Sequence, residues 1–217
     1  MTAANTSPPD QSHDEVIVLP WWQNPLNFIA LGLATLILGV GIGYAVGHGA
    51  ATPDSNSVDI GFLQDMRYHH DQAVQIAYHY ITKTDDPNPR IELIAEEILL
   101  GQQLENGRMI QMLRDFHASE ANDTGTAMAW MGMAVPIEQM TGLATDDELQ
   151  AFAAAAGDEA AREFATLMIA HHQGGIHMAE YVIENGANPD VRSMAQSMVK
   201  GQTAEVAELQ AIIDGLG

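Results

Sequence analysis

The sequence predicts an all-α protein, an antiparallel four-helix bundle that is made of two repeated helical hairpins and preceded by one transmembrane helix. Three observations support this fold class. An uncharged apolar stretch lies near the N-terminus, two later segments repeat each other, and apolar residues recur within the repeats at the spacing of three and four that is typical of an amphipathic helix.

The composition limits the possible functions before any motif is considered. The 217 residues include no cysteine, which excludes disulfides, thiolate metal sites and cysteine nucleophiles. The formal net charge is −21 with only eight Lys and Arg residues, so the surface repels nucleic acid and anionic lipid headgroups. We therefore expect no nucleic-acid partner, and any contact with a membrane must come from apolar sequence.

Residues 25–47 are predicted to be a transmembrane anchor, because no charged residue occurs between Leu19 and Pro53 and the apolar stretch reaches the roughly 20 residues that a spanning helix needs. Trp21, Trp22 and Tyr44 stand where interfacial aromatic residues belong. A cleaved signal peptide is the alternative, although the leader is long and has no Lys or Arg. Residues 1–24 are predicted to be a disordered tail and residues 48–57 a linker.

An internal repeat organises residues 58–217. The segments that start at Phe62 and at Phe164 align without a gap, and each is followed by a turn that contains proline and by a second similar segment. Each copy therefore predicts one helical hairpin, at residues 58–117 and 146–217. The crossover between them, residues 118–145, is predicted to hold little regular structure. Two hairpins bury their apolar faces by packing as a four-helix bundle with a pseudo-twofold axis.

The second helix of each hairpin carries polar residues on its predicted core stripe. Gln102 and Glu105 occupy such positions in the first copy, and Gln202 and Glu205 occupy them in the second. A buried carboxylate is costly unless it is paired. Because the same two residue types recur at the same place, we expect the first helices to supply their partners.

Paired histidines on the first helix of each hairpin are the expected partners. His69-His70 and His171-His172 are preceded, four residues before the second histidine, by Met66 and Met168. One interpretation is that they are core histidines hydrogen-bonded to the glutamates. The other is a site of imidazoles and thioethers, for which copper is the expected ion. This interpretation predicts the metal ligands His171, His172, Met168, Met178, His69, His70 and Met66. The residues expected to contact these ligands rather than the ion itself are Glu105, Glu205, Gln102 and Gln202.

The remaining histidines and methionines leave further alternatives open. His79 and His177 have no histidine counterpart in the other copy and are either ligands or surface residues, while His13, His48 and His117 lie outside the repeat pattern. The crossover methionines either pack over one end of the bundle or form a thioether lid suited to Cu(I); they are Met128, Met131, Met133 and Met140.

These motifs resemble the domain-of-unknown-function 305 family. The resemblance lies in the paired MxxHHxxA and QxxE segments and in Met140-Thr-Gly-Leu143, a version of that family's Met-Pro-Gly-Met loop, and it spans residues 58–217. It implies a ferritin-like helical bundle that is exported or membrane-anchored, with copper binding in some members. The second copy matches better, because Ile76 stands at the position that corresponds to Met178.

The sequence therefore favours a membrane-anchored metal-binding protein that binds copper for metal tolerance or delivery. The resemblance implies a single-pass protein of the cell membrane with its C-terminal domain on the extracytoplasmic side. No enzymatic activity is predicted, since HExxH and GxSxG motifs are absent. One alternative is a metal-free helical module that docks an envelope partner. A di-iron enzyme is disfavoured because no histidine has a glutamate three residues before it.

Overall fold

A computed structural model describes residues 20–50 and 54–216, and the side chains of residues 48–50 are outside that description. The described chain is mostly α-helical, as the sequence predicts. It divides between residues 51 and 52 into two units. Its α-helices are α1 (Pro25–Ala50), α2 (Ser57–Lys83), α3 (Pro89–Asp115), α4 (Asp146–Ala154), α5 (Gly157–Asn185) and α6 (Pro189–Gly215).

The N-terminal unit contains the apolar helix α1. Residues Pro25–Gly47 of this helix have a mean hydropathy of 2.2, and their length and composition suffice to cross a membrane. A signal sequence close to the N-terminus has the same properties. The helix continues to Ala50, beyond the predicted anchor boundary, and Trp21–Gln23 form a 3-10 turn within the segment that was predicted to be disordered. Residues 1–19 of the predicted tail lie outside the described residues.

In the C-terminal unit, α3 and α6 begin at the same dipeptide. Asn88 and Asn188 are the N-caps, and the side-chain oxygen of each accepts hydrogen bonds from the backbone N–H groups two and three residues later. Pro89 and Pro189 follow at the first helical position, where proline costs no hydrogen bond. The turns that the sequence predicts around these prolines are therefore confirmed.

Helices α2 and α5 pack against each other in antiparallel orientation. The ring of Tyr80, late in α2, lies 4.9 Å from that of Phe164, early in α5. The Asp59 carboxylate, early in α2, accepts hydrogen bonds from the backbone N–H groups of Ala187 and Asn188, just after α5. The two repeats are thus related by an approximate twofold axis through the middle of the α2–α5 contact.

The buried side chains form two clusters. One, which we call the aromatic cluster, includes Tyr80, Phe152, Phe164, Met168, Ile76, Ile91, Ile94 and Ile98. The other, the methionine-rich cluster, holds most of the methionines of the chain: Met66, Met109, Met128, Met131, Met140, Met178, Met194 and Met198. The antiparallel arrangement explains the division, because residues before the histidines in α2 lie beside residues after the histidines in α5.

The crossover contains more structure than predicted. Thr126–Ala127 (β1) pairs antiparallel with Val135–Pro136 (β2), and 3-10 turns cover Ala129–Met131 and Ile137–Gln139. The fully buried carboxylate of Asp65 holds this segment against α2. It accepts hydrogen bonds from the backbone N–H of Met128 at 2.7 Å, Trp130 Nε1–H at 2.7 Å and the Asn122 side-chain amide at 2.6 Å.

Candidate metal centre

All four paired histidines are fully buried, where α2 and α5 cross. Adjacent residues on a helix point about 100° apart. His69 and His171 therefore point at each other across the approximate twofold axis, with ring centroids 3.7 Å apart and ring planes tilted by 33°. His70 and His172 point elsewhere, towards α3 and α6 respectively.

The inner histidines, His69 and His171, donate to backbone carbonyl groups. His171 Nε2 donates to the carbonyl oxygen of His69 at 2.8 Å. His69 Nε2 does not make the equivalent bond; it donates instead to the carbonyl oxygen of Thr141 in the crossover, at 3.2 Å. The crossover therefore breaks the twofold symmetry at the centre of the histidine cluster.

One residue on α2 and one on α5 allow the crossover to approach the histidines at this point. The Gln72 side chain exchanges two hydrogen bonds with the backbone of Ala144, at 2.9 and 2.7 Å. At the equivalent place on α5, a Cβ atom added to Gly174 would collide with the backbone of Thr141. Gln72 and Gly174 occupy equivalent positions of the two copies, so the Gln72 side chain binds the crossover on one helix and the absence of a side chain at Gly174 leaves room for it on the other.

The outer histidines, His70 and His172, donate to the predicted glutamates. His70 Nε2 lies 2.8 Å from Glu105 Oε2, and His172 Nε2 lies 2.5 Å from Glu205 Oε2. The side chains of Glu105 and Glu205 are 25% and 36% exposed, whereas full burial on the core stripe was expected. Their partial exposure lowers the cost of keeping the two carboxylates charged.

The hydrogen bonds fix the same tautomer in all four imidazoles. Carbonyl and carboxylate oxygens accept, so each Nε2 carries a proton, and in the neutral form of a ring the lone pair is on Nδ1. None of the four buried Nδ1 atoms has a hydrogen-bond partner among the described residues. A neutral imidazole with an uncommitted ring nitrogen is the form that binds metals, and an acceptor on its other nitrogen orients such a ligand.

Burial keeps the inner pair neutral. The pKa of His69 is lowered from 6.5 to about 3, by burial first and by repulsion from His70 and His172 second. The pKa of His171 is likewise well below its usual value, because of burial first and of His69 second. Both rings are therefore neutral over the whole physiological range.

The donor set suits a soft ion better than a hard one. Among the described residues, no three His, Asp or Glu side chains are placed to share one ion. Imidazole and carboxylate groups alone do not provide a preformed site, and the additional donors one helical turn before the outer histidines are the thioethers of Met66 and Met168. Thioethers favour Cu(I) over Zn²⁺ or Mg²⁺.

The thioethers are grouped by position along the α2–α5 pair rather than by repeat. Met66 and Met178 are both fully buried in the methionine-rich cluster, although they come from different copies. Met168 is also fully buried but belongs to the aromatic cluster together with Ile76. Met178 therefore lies in one cluster with Met66 of the other copy, whereas Met168 of its own copy lies in the other cluster.

The other histidines and methionines singled out by the sequence occupy different environments. His177 and His117 are exposed, and the ring of the half-buried His79 lies 5.2 Å from that of Phe152. Met128, Met131 and Met140 are buried in the methionine-rich cluster, whereas Met133 is 46% exposed. The side chain of His48 and the whole of His13 lie outside the described residues.

Sequence reasoning missed Thr141 and Asp65, the two residues that connect the crossover to the site. Thr141 acts through its backbone carbonyl, which leaves no trace in the residue type. Asp65 could have been noticed, because it is a carboxylate within the predicted buried face of α2, and its counterpart at the same position in α5 is Leu167.

Comparisons with known proteins place the chain among related structures. The family model described as Domain of unknown function (DUF305) matches residues 59–213. A DUF305 protein from Streptomyces coelicolor, described as secreted, is 31% identical, with a TM-score of 0.68 over 74% of this chain and 94% of that chain. A DUF305 fragment from Deinococcus radiodurans is 23% identical, with a TM-score of 0.63 over 75% of this chain and 99% of that chain, and shows the shared fold.

A third solved structure is that of CopM in its Cu(I)-bound form. It is 25% identical to this chain, with a TM-score of 0.53 over 72% of this chain and 96% of that chain. No protein of curated function matches this chain.

Proposed function

The chain belongs to the DUF305 family, and from that membership and the buried histidine cluster we propose that its C-terminal unit binds copper as Cu(I). The ligands come from the Nδ1 atoms of His69, His70, His171 and His172 and from the thioethers of Met66, Met168 and Met178. Glu105 and Glu205 orient the outer histidines. The ion is cargo that the protein holds for metal tolerance or delivery, so no catalytic step is assigned.

The single observation that carries this proposal is the set of four buried imidazoles whose Nδ1 atoms have no partner among the described residues. Leaving a buried acceptor unpaired costs free energy, about 1–3 kcal/mol for each group. Four buried Nδ1 atoms are unpaired in this way, and buried methionines lie on the same helices. Together they are the donors that a soft-metal site requires. The Cu(I)-bound state of the similar CopM supports copper as the ion.

The proposed architecture is a ferritin-like, antiparallel four-helix bundle of α2, α3, α5 and α6. The contacts of α2 with α3, of α5 with α6 and of α2 with α5 support it. We further propose the domain boundaries of the sequence analysis, with residues 58–217 as the exported domain.

We propose that residues 25–47 anchor the protein by a single span and that the C-terminal domain is extracytoplasmic. The apolar character of Pro25–Gly47 supports the anchor, and the secreted Streptomyces coelicolor relative supports export. A copper-binding site without cysteine suits an oxidising compartment, because thioethers and imidazoles do not form disulfides.

A competition titration tests the copper site. The full chain in detergent micelles is titrated against a Cu(I) chelator and, separately, against a Zn²⁺ chelator. We expect tighter binding of Cu(I), and a loss of at least about tenfold in Cu(I) affinity, or about 1.4 kcal/mol, for His171→Ala/His172→Ala and for His69→Ala/His70→Ala. The control is His177→Ala, an exposed histidine on the same helix as His171.

Equal Cu(I) affinities in all of these proteins would remove the histidine pairs from the site. The crossover methionines would then be the remaining ligands. An absence of Cu(I) binding in the wild-type protein would reject the metal site altogether.

The second candidate function is a metal-free module that docks an envelope partner. One observation favours it: Leu93, Leu100 and Leu104 are 57–68% exposed on α3. Their counterparts on α6 are Ser193, Lys200 and Ala204. The copper titration separates the two functions, because only the first requires Cu(I) binding by the wild-type protein.

A further inference from the structure

A polar cleft lies between α3 and α6. Its volume is about 60 Å³, enough for a few water molecules or a partly hydrated ion. The two helices contribute matching residues at its centre, Gly101, Gln102 and Glu105 from α3 and Gly201, Gln202 and Glu205 from α6. Glu97 adds a third carboxylate, and none of the lining residues is basic.

The amide groups of the two glutamines in this cleft make no hydrogen bond within the described part of the protein. Gln102 and Gln202 are each 5% exposed, and the side-chain oxygen and nitrogen of both have no hydrogen-bond partner among the described residues. A buried amide without a partner costs free energy, and a leucine at the same position would avoid that cost. A buried glutamine recurs at the same position in both copies, which indicates that the amides bind a ligand in the cleft.

The cleft leads to the histidine cluster. Glu105 and Glu205 line it and also accept hydrogen bonds from the buried imidazoles of His70 and His172. Gln202 also approaches α5, because a Cβ atom added to Gly175 of that helix would come within 2.6 Å of Gln202 Oε1. The Gln202 amide therefore reaches the backbone of α5 three residues after His172.

We propose that the cleft between α3 and α6 is the port through which a metal cation enters and leaves the buried histidine cluster; this inference rests on the proposed copper site. The carboxylates of Glu97, Glu105 and Glu205 attract the cation. The amide oxygens of Gln102 and Gln202 then replace water molecules that the cation loses as it passes inward.

The chemistry of the lining suits transit rather than storage. Apart from the thioether of Met198, the polar groups of the lining are oxygen and nitrogen groups, and amide and carboxylate oxygens are hard ligands that bind a soft ion such as Cu(I) weakly. A permeation path needs contacts that are favourable enough to admit an ion and weak enough to release it. A cleft lined by negative charge also raises the local concentration of cations and their rate of entry.

Glycines make the port testable without touching a metal ligand. A Cβ atom added to Gly101 or Gly201 would meet nothing within 4 Å, so larger side chains fit the helices and project over the cleft. The test variant is Gly101→Leu/Gly201→Leu. The matched control is Gly107→Leu/Gly215→Leu, because these glycines lie on the same two helices, also have free space for a Cβ atom, and do not line the cleft.

The experiment measures rates and affinity on the full chain in detergent micelles. Loading is followed by mixing metal-free protein with Cu(I) in acetonitrile buffer and trapping unbound Cu(I) with bathocuproine at set times. Release is followed by the colour that excess bathocuproine develops with the loaded protein. We expect the cleft variant to load and release Cu(I) at least about tenfold more slowly, with equal factors and an unchanged dissociation constant, while the control matches the wild type.

A second variant, Gln102→Leu/Gln202→Leu, leaves the glycines in place and decides the question if the first does not fold. It removes the amide oxygens, and we expect slower loading. Wild-type rates in both variants would overturn the port. A weaker affinity with unchanged loading in the glycine variant would also overturn it, by making the cleft a part of the binding site. If the wild-type protein binds no Cu(I), the proposed function fails and the port with it.

Discussion

His69 and His171 face each other across the approximate twofold axis with ring centroids 3.7 Å apart, yet they donate to backbone carbonyl groups of different segments. His171 donates to the backbone of the opposite histidine, and His69 donates to Thr141 of the crossover. Two imidazoles at this distance cannot both be positively charged without strong repulsion. The core of the site is therefore neutral, and its stability depends on pH.

The first prediction is that the metal-free protein loses stability below about pH 6.5. The folded pKa of His69 is about 3, and that of His171 is also well below 6.5. Below pH 6.5 the unfolded chain binds protons that the folded chain does not, so the free energy of unfolding falls by about 1.4 kcal/mol per pH unit for each histidine. Melting temperatures recorded from about pH 7 to about pH 5 measure this slope.

Carboxylates also contribute to acid destabilisation, so the comparison needs a variant. In His69→Gln/His171→Gln the melting temperature should depend less steeply on pH than in the wild-type protein. His177→Gln, at an exposed position of α5, should keep the wild-type slope. If the melting temperatures of all three proteins changed equally with pH, the inner histidines would have the same pKa in the folded and unfolded chains, contrary to this prediction.

The second prediction concerns the glutamates that accept from the outer histidines. Replacing Glu105 or Glu205 by Ala leaves the Nε2–H group of a fully buried imidazole without its acceptor. We expect each change to lower the free energy of unfolding by about 1–3 kcal/mol, measured by urea denaturation of the metal-free protein.

Glu96→Ala is the control for this pair, because Glu96 is exposed on α3 and makes no hydrogen bond to a histidine. It should change stability by less than about 0.5 kcal/mol. An increase in stability for both Glu105→Ala and Glu205→Ala would mean that the buried imidazoles do not need these acceptors.

The sequence predicts the parts of this protein that depend on local pattern. Helix limits follow from Asn-Pro caps and from apolar spacing, because both act within a few residues of the chain. The stripe position of Glu105 and Glu205, repeated in both copies, likewise pointed to partners on the neighbouring helices. These features needed only the direction in which side chains leave a helix.

Features that depend on the relative direction of distant helices were not predictable in the same way. Met66 and Met178 share a cluster because α2 and α5 run antiparallel, which the repeat itself does not reveal. The bond from His69 to Thr141 depends on where a segment without a repeat partner enters the structure. Glu105 and Glu205 are partly exposed because they line the cleft between α3 and α6. The width of that cleft cannot be derived from the helical periodicity of the sequence.

The third prediction concerns Asp65, which holds the crossover against α2. In Asp65→Asn, one oxygen acceptor is replaced by a donor beside three donor groups. At least one buried donor then loses its partner, and we expect a loss of about 1–3 kcal/mol in the free energy of unfolding. Faster proteolysis between α3 and α4 should accompany it. Asp147→Asn, at an exposed position of α4, is the control, and equal behaviour of the two variants would contradict this role of Asp65.

The fourth prediction concerns the anchor. The uncharged segment Pro25–Gly47 should keep the full-length protein in the membrane fraction during alkaline carbonate extraction, because removing such a helix from lipid exposes its whole apolar surface to water. A variant that lacks residues 25–47 should be extracted. Recovery of protein without these residues from cells that express the complete chain would identify the segment as a cleaved signal.

The fifth prediction follows from the grouping of the thioethers. Met66 and Met178 share the methionine-rich cluster, whereas Met168 lies in the aromatic cluster. If Met66 and Met178 bind the same Cu(I) ion, Met66→Leu and Met178→Leu should be coupled in a double-mutant cycle, with an interaction energy of about 0.5–3 kcal/mol. Met66→Leu and Met168→Leu should be additive within about 0.5 kcal/mol.

Leucine preserves the apolar volume and removes the sulfur, so the change reports on ligation more than on packing. Cu(I) affinities of the four proteins in each cycle, from chelator competition, provide the measurement. Coupling of Met66 with Met168 but not with Met178 would contradict this grouping. It would mean that the thioethers at equivalent positions of the two copies share an ion, and that the packing of α2 against α5 does not determine which thioethers do so.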